Sequence, residues 1–321
     1  MTYKNKLIFL VSLIAVLALL FSGSIIFNSD IGNKQTSFVW LDAKNAEKAT
    51  RIVIKAEGNT QDMQDFELSY NNNQWFVLYN DTVYPARKVR IDDFLSILTT
   101  RSAWNVRSTD ASNHERFGLD QSASKITIYA ENTVILDLLL GNDDIFKNET
   151  YFRKAGQNEV RSGDSGIKTY VTGPVTNWYN LRLIPENEGA LKFDLNNVQR
   201  LSVYNDGELQ IFNRRNRTWA IEGVNNPNVS AVESYIRAIL NTEGDNFAQP
   251  EFGDSESVGG FDDNNRIVIE FGNGRIITIR LTEPDDTGRR YAQVSGRSYV
   301  YSIPSWSAGR LYKNISDFES Q

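Results

Sequence analysis

The sequence predicts a β-rich α+β fold, with a single amino-terminal transmembrane helix followed by two tandem repeated modules of antiparallel strands, each with one amphipathic helix. Three observations predict this fold. The chain has an uncharged apolar segment near its start, it contains many short runs of alternating apolar and polar residues between Asn- and Gly-rich turns, and an ordered set of these motifs recurs in its second half. At 40% hydrophobic residues, the 321-residue chain is apolar enough to build two cores.

The apolar segment Leu7–Phe27 contains 21 residues and no charge. A helix of this length spans about 30 Å, the thickness of the hydrocarbon core of a bilayer. Because Lys4 and Lys6 precede it, the positive-inside rule places residues 1–6 in the cytoplasm and the rest of the chain on the outer side, in the periplasm or at the cell surface. The alternative is a signal peptide cleaved near Ser24, but the length of the apolar run favours a retained anchor.

Residues 28–48 are predicted to be a polar linker, residues 49–186 the first repeat module and residues 187–321 the second. Five landmarks recur in the same order: Arg51 and Arg200, Trp75 and Trp219, Ile91 and Val232, Tyr151 and Tyr291, and Trp178 and Trp306. The separation between the two members shrinks from each pair to the next and is shortest for the last pair, as loops of different length would cause. Two copies of this size indicate a duplication, since solenoid repeats are much shorter.

Each module is predicted to contain one amphipathic helix, because apolar residues recur at positions i, i+3, i+4 and i+7. These residues are Ile91, Phe94, Leu95 and Leu98 in the first module and Val232, Tyr235, Ile236 and Ile239 in the second. A turn follows each helix, at residues 117–120 and 259–262, and each turn precedes another predicted hairpin.

The amino-terminal anchor, the strand with Trp75, the segment Tyr84–Ala86 ahead of the first helix and the turn Phe117–Asp120 together resemble the domain-of-unknown-function family 4340. The resemblance covers most of residues 50–310. It implies a bacterial protein of the inner or cytoplasmic membrane, often encoded beside components of ABC-type transporters of the gliding-motility kind. Transporter components are therefore the protein partners that the resemblance implies. It implies no chemistry for any residue.

The composition excludes several classes of function. The net charge of −6, from 34 basic and 40 acidic residues, argues against a nucleic-acid-binding protein, which needs a basic surface. The chain has no Cys and one His, which excludes thiolate metal sites and leaves little imidazole chemistry. No glycine-rich loop has the spacing that holds nucleotide phosphates. We therefore predict no cofactor, no metal site and no enzymatic activity.

The string Gly163–Gly166 has the sequence Gly-Asp-Ser-Gly, which resembles the nucleophile segment of chymotrypsin-like serine proteases. That chemistry needs a base beside the serine, and His114 is the only histidine. No motif of that family surrounds His114, so we predict a solvated loop histidine. Because the separation between the copies shortens beyond this string, we predict that the string lies in an inserted loop of the first copy.

Three acidic pairs, at residues 143–144, 262–263 and 285–286, lack the spacing of a calcium loop and are predicted to be solvated turns. Trp75 and Trp219 recur at matching strand positions, which predicts that both belong to cores. Trp40 and Trp104 have no equivalent in the other module. These two residues are the candidate binding positions, as surface platforms for a ligand, and the alternative for them is core packing.

The sequence thus predicts a membrane-tethered extracytoplasmic protein without enzymatic activity, an accessory or scaffold of an ABC-type transport or surface-assembly system. One alternative is a glycan- or peptide-binding module with a groove between the two repeats, where Trp40 or Trp104 stacks on the ligand. Another is a hydrolase that uses two carboxylates, which the 40 acidic residues leave open.

Overall fold

The structure, a computed structural model, describes residues 35–56, 64–121, 123–146, 148–188, 190–216, 218–248, 260–261 and 263–320. The predicted transmembrane segment Leu7–Phe27 lies outside these residues. Within the ranges given, no helix is long and apolar enough to cross a membrane. The chain divides into two compact units between Tyr179 and Asn180.

The described part of the first unit contains ten strands and two α-helices. The strands are β1 Gln35–Phe38, β2 Arg51–Lys55, β3 Phe66–Asn71, β4 Gln74–Tyr79, β5 Thr82–Pro85, β6 Ser102–Ser108, β7 Ser124–Ala130, β8 Thr133–Asp143, β9 Glu149–Lys154 and β10 Val160–Asp164. The helices are α1 Ala43–Ala46 and α2 Lys88–Thr99. All ten strands form one antiparallel sheet in the order β1-β6-β10-β9-β8-β7-β2-β3-β4-β5.

The described part of the second unit also contains ten strands and two α-helices. The strands are β11 Asn187–Glu188, β12 Leu191–Lys192, β13 Val198–Asn205, β14 Glu208–Arg215, β15 Thr218–Ile221, β16 Asn246–Phe247, β17 Arg266–Phe271, β18 Ile276–Leu281, β19 Arg290–Val294 and β20 Val300–Ile303. The helices are α3 Val229–Leu240 and α4 Ser305–Ala308. The first two strands form a separate ribbon, and the other eight form an antiparallel sheet in the order β15-β14-β13-β17-β18-β19-β20-β16.

The two sheets have the same strand order. Eight strands of the first sheet run β4-β3-β2-β7-β8-β9-β10-β6, and the eight strands of the second run in the corresponding order. In the chain, α2 directly precedes β6, and α3 directly precedes the corresponding strand β16. β1 and β5 extend the first sheet at its two edges. The register agrees as well. Tyr151 lies opposite Ser162 and Tyr291 lies opposite Ser302, and the two tyrosines are as far apart in sequence as the two serines.

The alternation in the sequence selects which side chains enter each core. In β2 the buried residues are Ile52 and Ile54, and in β17 they include Ile267 and Ile269. Both long helices bury their apolar stripes, with Leu95 as a half-buried member of the first stripe. The prediction of a β-rich fold with antiparallel sheets and few helices is confirmed.

Each unit closes with a short 3₁₀ helix that returns to the start of its long helix. In the first unit this helix is Val175–Trp178, and the N–H of Arg87 donates to the carbonyl of its last residue over 2.7 Å. In the second unit it is Ile315–Phe318, and the N–H of Asn228 donates to the carbonyl of its last residue, also over 2.7 Å. The two contacts fix the amino terminus of α2 and of α3 in the same way.

The predicted match of Trp178 with Trp306 is wrong. Trp178 and Phe318 are both buried, whereas the side chain of Trp306 is 64% exposed. Phe318 therefore takes the place of Trp178. Trp178 and Phe318 are as far apart in sequence as Tyr151 and Tyr291, so the separation between corresponding residues does not shorten at the end of the chain. The predicted inserted loop is wrong as well, because it was inferred from the shorter separation between Trp178 and Trp306. These two tryptophans have the same residue type but do not occupy the same place in their cores.

Two segments of the chain belong to other parts of the fold than predicted. Residues 35–48, predicted to be a polar linker, contain β1 and α1 and the buried side chain of Trp40. Residues 180–186, placed at the end of the first module, belong to the second unit, where the N–H of Leu183 donates to the carbonyl of Thr242 over 3.1 Å.

Candidate functional site

The first unit contains a cavity of about 680 Å³ beside the ends of β2 and β7. It is large enough for a small ligand, since ligand sites commonly measure about 300–1,000 Å³. Basic, acidic and apolar side chains share its wall, which is formed by Lys55, Ala56, Asp65, His114, Leu119, Asp120, Gln121, Ala123, Lys125, Leu139 and Arg153.

A tight turn, Phe117–Asp120, forms one side of this cavity. Gly118 ends the 3₁₀ helix that precedes it and has φ of +65°, in the left-handed region that glycine adopts without strain. A β-carbon at this position would lie 2.7 Å from the side chain of Asn142. The turn directs Leu119 into the core, where it is fully buried, and leaves Asp120 exposed at the cavity. The motif that carries the family resemblance thus builds the cavity wall.

Arg153, in β9, is held in place by this turn. Its guanidinium donates to the carbonyl of Leu119 and to the carbonyl of Gln157, each over 3.0 Å. Burial lowers the pKa of Arg153, and its Nε is buried without a hydrogen-bond partner among the described residues. The group remains a cation, because an arginine pKa lies far above neutral pH.

Two lysines add positive charge to the same wall. Lys55 at the end of β2 lies directly opposite Lys125 in β7. Like charges opposite each other destabilise a sheet unless another charge compensates them. Asp137 compensates one of them, since its carboxylate lies 2.9 Å from Nζ of Lys125. With Arg153 nearby, this arrangement suits a carboxylate or phosphate group, which such cations bind through charge-assisted hydrogen bonds.

A second polar cluster lies where β6, β9 and β10 meet. Arg107 donates to the hydroxyl of Ser162 over 2.6 Å and to the carboxylate of Glu149 over 2.7 Å. Ser162, which is fully buried, donates to the same carboxylate. Burial alone would raise the pKa of Glu149, but the hydrogen bonds from Ser162 and Arg107 outweigh it and hold the pKa below its usual range.

The second unit contains a similar ion pair on a buried serine, built partly from other positions. Ser302 corresponds to Ser162 and Arg289 to Glu149, each at the same separation in sequence as Tyr151 and Tyr291. Arg289 donates to the hydroxyl of Ser302 and to the carboxylate of Asp245, the latter over 2.7 Å. Burial would raise the pKa of Asp245, but these partners lower it overall. Both clusters are closed ion pairs anchored on a buried serine.

The protease-like string does not form a catalytic arrangement. Gly163 and Asp164 end β10, and the carboxylate of Asp164 accepts the N–H of Gly166 over 2.8 Å, which starts a 3₁₀ helix. His114 lies between two 3₁₀ turns with Nε2 at 3.1 Å from the carbonyl of Asn158. Among the described residues, no hydrogen bond joins this histidine to Ser165.

In each acidic pair, at least one carboxylate has a hydrogen-bond or ion-pair partner within the protein. Asp143 accepts Thr150 and Lys168, and Asp285 accepts the hydroxyl and N–H of Thr287. Asp263 lies 2.9 Å from Arg266, and Asp262 lies outside the described residues. Over the ranges that the structure describes, no group of three or more His, Asp or Glu residues could hold a metal ion.

The structure places the two candidate binding tryptophans in the core of the first unit. Trp40 is 3% exposed and Trp104 is 4% exposed, with ring centroids 5.1 Å apart. Phe152 packs against both rings, at 5.7 and 5.3 Å. In this position neither ring presents a face to a ligand at the surface. The segment around Trp40 is buried because β1 pairs with β6, a contact that no local pattern predicts.

The cavity residues Lys55, Lys125 and Arg153 were not predicted from the sequence. The available signal was that Lys55 and Lys125 end one predicted strand and begin another, and that Arg153 follows a strand landmark at Tyr151. Only the pairing of β2 with β7 brings the two lysines together.

The family model for the domain of unknown function DUF4340 matches residues 75–259, more than half of the chain. The chain belongs to the DUF4340 family. The family predicted from the sequence is confirmed. The DUF4340 match starts at Trp75 in β4 and includes the Phe117–Asp120 turn and Arg153 of the cavity. It then continues into the second unit and ends beyond α3. No curated protein and no solved structure gives a significant match to the chain.

Proposed function

We propose that this DUF4340 protein is a membrane-tethered extracytoplasmic protein without enzymatic activity, which acts as an accessory or scaffold of an ABC-type transport or surface-assembly system. The uncharged segment Leu7–Phe27 and the two lysines before it support the tether and its orientation. The family resemblance supports the connection with transporter components.

The repeated strand order is the observation that carries the scaffold proposal. A tandem duplication explains both the shared topology of the two sheets and the motifs that recur in the sequence. Two units with one fold offer two similarly shaped surfaces to protein partners. Because Glu149 in one cluster corresponds to Arg289 in the other, the charged groups are arranged differently on the two units, although each cluster is a closed ion pair. A different arrangement of charges favours different partners through electrostatic complementarity.

Crosslinking in the membrane tests this proposal. A tagged full-length chain is crosslinked in its host, and the proteins that co-purify are identified by mass spectrometry. We expect permease or ATPase subunits of a transporter, and we expect to lose them when Leu7–Phe27 is replaced by a cleavable signal. Recovery of the tagged chain alone, with the anchor intact, would contradict the accessory function.

The cavity of the first unit favours a second candidate function, the binding of an acidic extracytoplasmic ligand such as a carboxylate-bearing peptide or cell-wall glycan. The three cations Lys55, Lys125 and Arg153 support this candidate, against the carboxylates of Asp65 and Asp120 in the same wall. Calorimetric titration with soluble cell-wall fragments tests it.

Two matched variants test whether the ligand binds in the cavity. Lys55→Met removes an exposed cation from the cavity wall, whereas Lys48→Met removes an exposed cation from the same unit outside the cavity. Loss of one charge-assisted hydrogen bond of about 1.5 kcal/mol weakens binding roughly tenfold. We expect this loss for Lys55→Met only. No binding by the unaltered chain, or equal loss in both variants, would contradict the candidate.

A further inference from the structure

Two adjacent apolar side chains project from the turn between β8 and β9. Ile145 is 91% exposed and Phe146 is 74% exposed, which makes them the most exposed large hydrophobic residues of the described chain. We call this pair the apolar tip. Isolated apolar residues at a surface are common, but two neighbours with almost no protein contact at a turn are a feature of surfaces that meet an apolar partner.

The acidic residues beside the apolar tip already have partners. The carboxylate of Asp144 accepts the N–H groups of Asn148 and Glu149, over 2.8 and 3.1 Å. Asp143 accepts Thr150 and Lys168, at 2.7 and 3.0 Å. These bonds close the turn from both sides. They hold the turn in this shape, and Lys168 neutralises the charge of Asp143.

The corresponding turn of the second unit has the opposite character. Asp285 and Asp286 stand at the positions that correspond to Ile145 and Phe146. Asp285 accepts hydrogen bonds from Thr287 and from the N–H of Arg289, so this turn is closed in a similar way but is polar. The fold therefore does not require apolar residues here, and the apolar tip is a property of the first unit alone.

The first unit is also the unit next to the predicted anchor. The anchor ends at Phe27 and β1 begins at Gln35. The seven residues between them reach at most about 25 Å, at roughly 3.5 Å per residue. The first residue of β1 is therefore held within that distance of the bilayer surface.

The sheet register gives the distance from Gln35 to the apolar tip. Gln35 lies opposite Asn105, which lies opposite Ser162, which lies opposite Tyr151. Three strand spacings of about 4.8 Å and five residues of about 3.4 Å along β9 and its turn combine to about 22 Å. This is within the reach of the seven-residue connection, so the anchor allows the tip to lie at the bilayer surface.

We propose that the apolar tip inserts into the interfacial region of the lipid bilayer and orients the first unit on the membrane. This inference rests on the proposed tether, because two side chains alone bind a membrane weakly and the anchor supplies the local concentration. An apolar pocket on another protein is the competing occupant, and the experiment distinguishes it.

The test uses the full-length chain reconstituted alone into liposomes. The native chain has no Cys, so a single introduced cysteine labels one site with an environment-sensitive dye. Asn148→Cys reports beside the tip and leaves Ile145 and Phe146 intact, while Asn132→Cys reports from the turn at the other end of β8. Resistance to alkaline extraction is measured on the same samples and reports the anchor independently.

We expect the dye at position 148 to shift to shorter wavelength and to be quenched by a quencher attached to lipid, while the dye at position 132 behaves as in water. Replacing Ile145 and Phe146 with serine should abolish the shift at position 148 without changing resistance to extraction. An extraction-resistant chain with a water-like dye at position 148, or a shielded dye that the lipid quencher does not reach, would overturn the inference and leave the tether standing. Release of the chain by alkaline extraction would refute the tether itself.

Discussion

Trp178 and Phe318 each complete the core of one unit, so truncating either side chain should lower the stability of that unit. Trp178 is fully buried, with its ring 5.6 to 5.8 Å from the rings of Phe66, Phe94 and Tyr170. Burying about 200 Å² at about 25 cal/mol per Å² gives an upper limit of about 5 kcal/mol. Because alanine also leaves a cavity, Trp178→Ala should destabilise the first unit by about 3–5 kcal/mol.

The same reasoning gives a similar loss for Phe318→Ala, in the second unit. Phe318 packs against Phe212 and Tyr235, with ring centroids 5.1 and 5.2 Å away. Trp306→Ala is the matched control, because that side chain is 64% exposed and its removal should change the stability by no more than about 0.5 kcal/mol.

Hydrogen exchange of the full-length chain, read by mass spectrometry, follows each unit separately. The slowest amides of β7 and β8 report the first unit, and those of β17 and β18 report the second. A loss of about 4 kcal/mol accelerates exchange roughly a thousandfold, up to the limit set by the stability of the unit. A large effect of Trp306→Ala, or unchanged exchange in Phe318→Ala, would mean that Phe318 does not take the place of Trp178 in the second core.

Three further predictions concern single residues of the first unit. Gly163→Ala places a methyl group against the ring of Trp104 and should lower the free energy of unfolding by about 1–3 kcal/mol in urea titrations. Gly118→Ala forces φ of +65° on a residue with a side chain and should cost about 1–2 kcal/mol by the same measurement. The depressed pKa of Glu149 means that its stabilisation is complete above the ordinary glutamate pKa of about 4.3 and disappears as the pH falls through the lower folded value, so Glu149→Gln should flatten the loss of stability between about pH 5 and 2.

Each of these predictions has a result that contradicts it. Unchanged unfolding of Gly163→Ala would mean that the close approach of β10 to Trp104 is absent. A Gly118→Ala variant as stable as the unaltered chain would mean that the turn does not need the left-handed conformation. If Glu149→Gln loses stability in acid as steeply as the unaltered chain, the ion pair with Arg107 does not depress the pKa.

The sequence was sufficient to predict those parts of the fold that depend on local patterns. Alternation identified strands such as β2 and β17, and the i, i+3, i+4, i+7 pattern identified α2 and α3. Gly118 and Gly260, which lie in the two predicted turns, both have positive φ, a conformation that glycine adopts without strain. These features follow from the geometry of a single strand, helix or turn, which the order of residues specifies directly.

Other parts of the fold depend on contacts between distant segments. Trp40 is buried because β1 adds to the sheet beside β6, although β2 to β5 and both helices of the unit lie between them in the sequence. The cavity needs Lys55 and Lys125 to meet across β2 and β7. The tryptophan match failed at Trp306 because residue identity does not specify burial. No local pattern contains this information.

A topology measurement on the full-length chain tests whether Leu7–Phe27 holds both units on the outer side of the membrane. Membranes are extracted with alkaline carbonate, and the intact outer face is then treated with protease. We expect that the chain resists extraction, that both units are accessible only from the outer side, and that replacing Leu7–Phe27 with a cleavable signal releases them in soluble form. Extraction of the chain with Leu7–Phe27 intact would show that this segment is not a membrane anchor, and units accessible only from the cytoplasmic side would show that the orientation is the reverse.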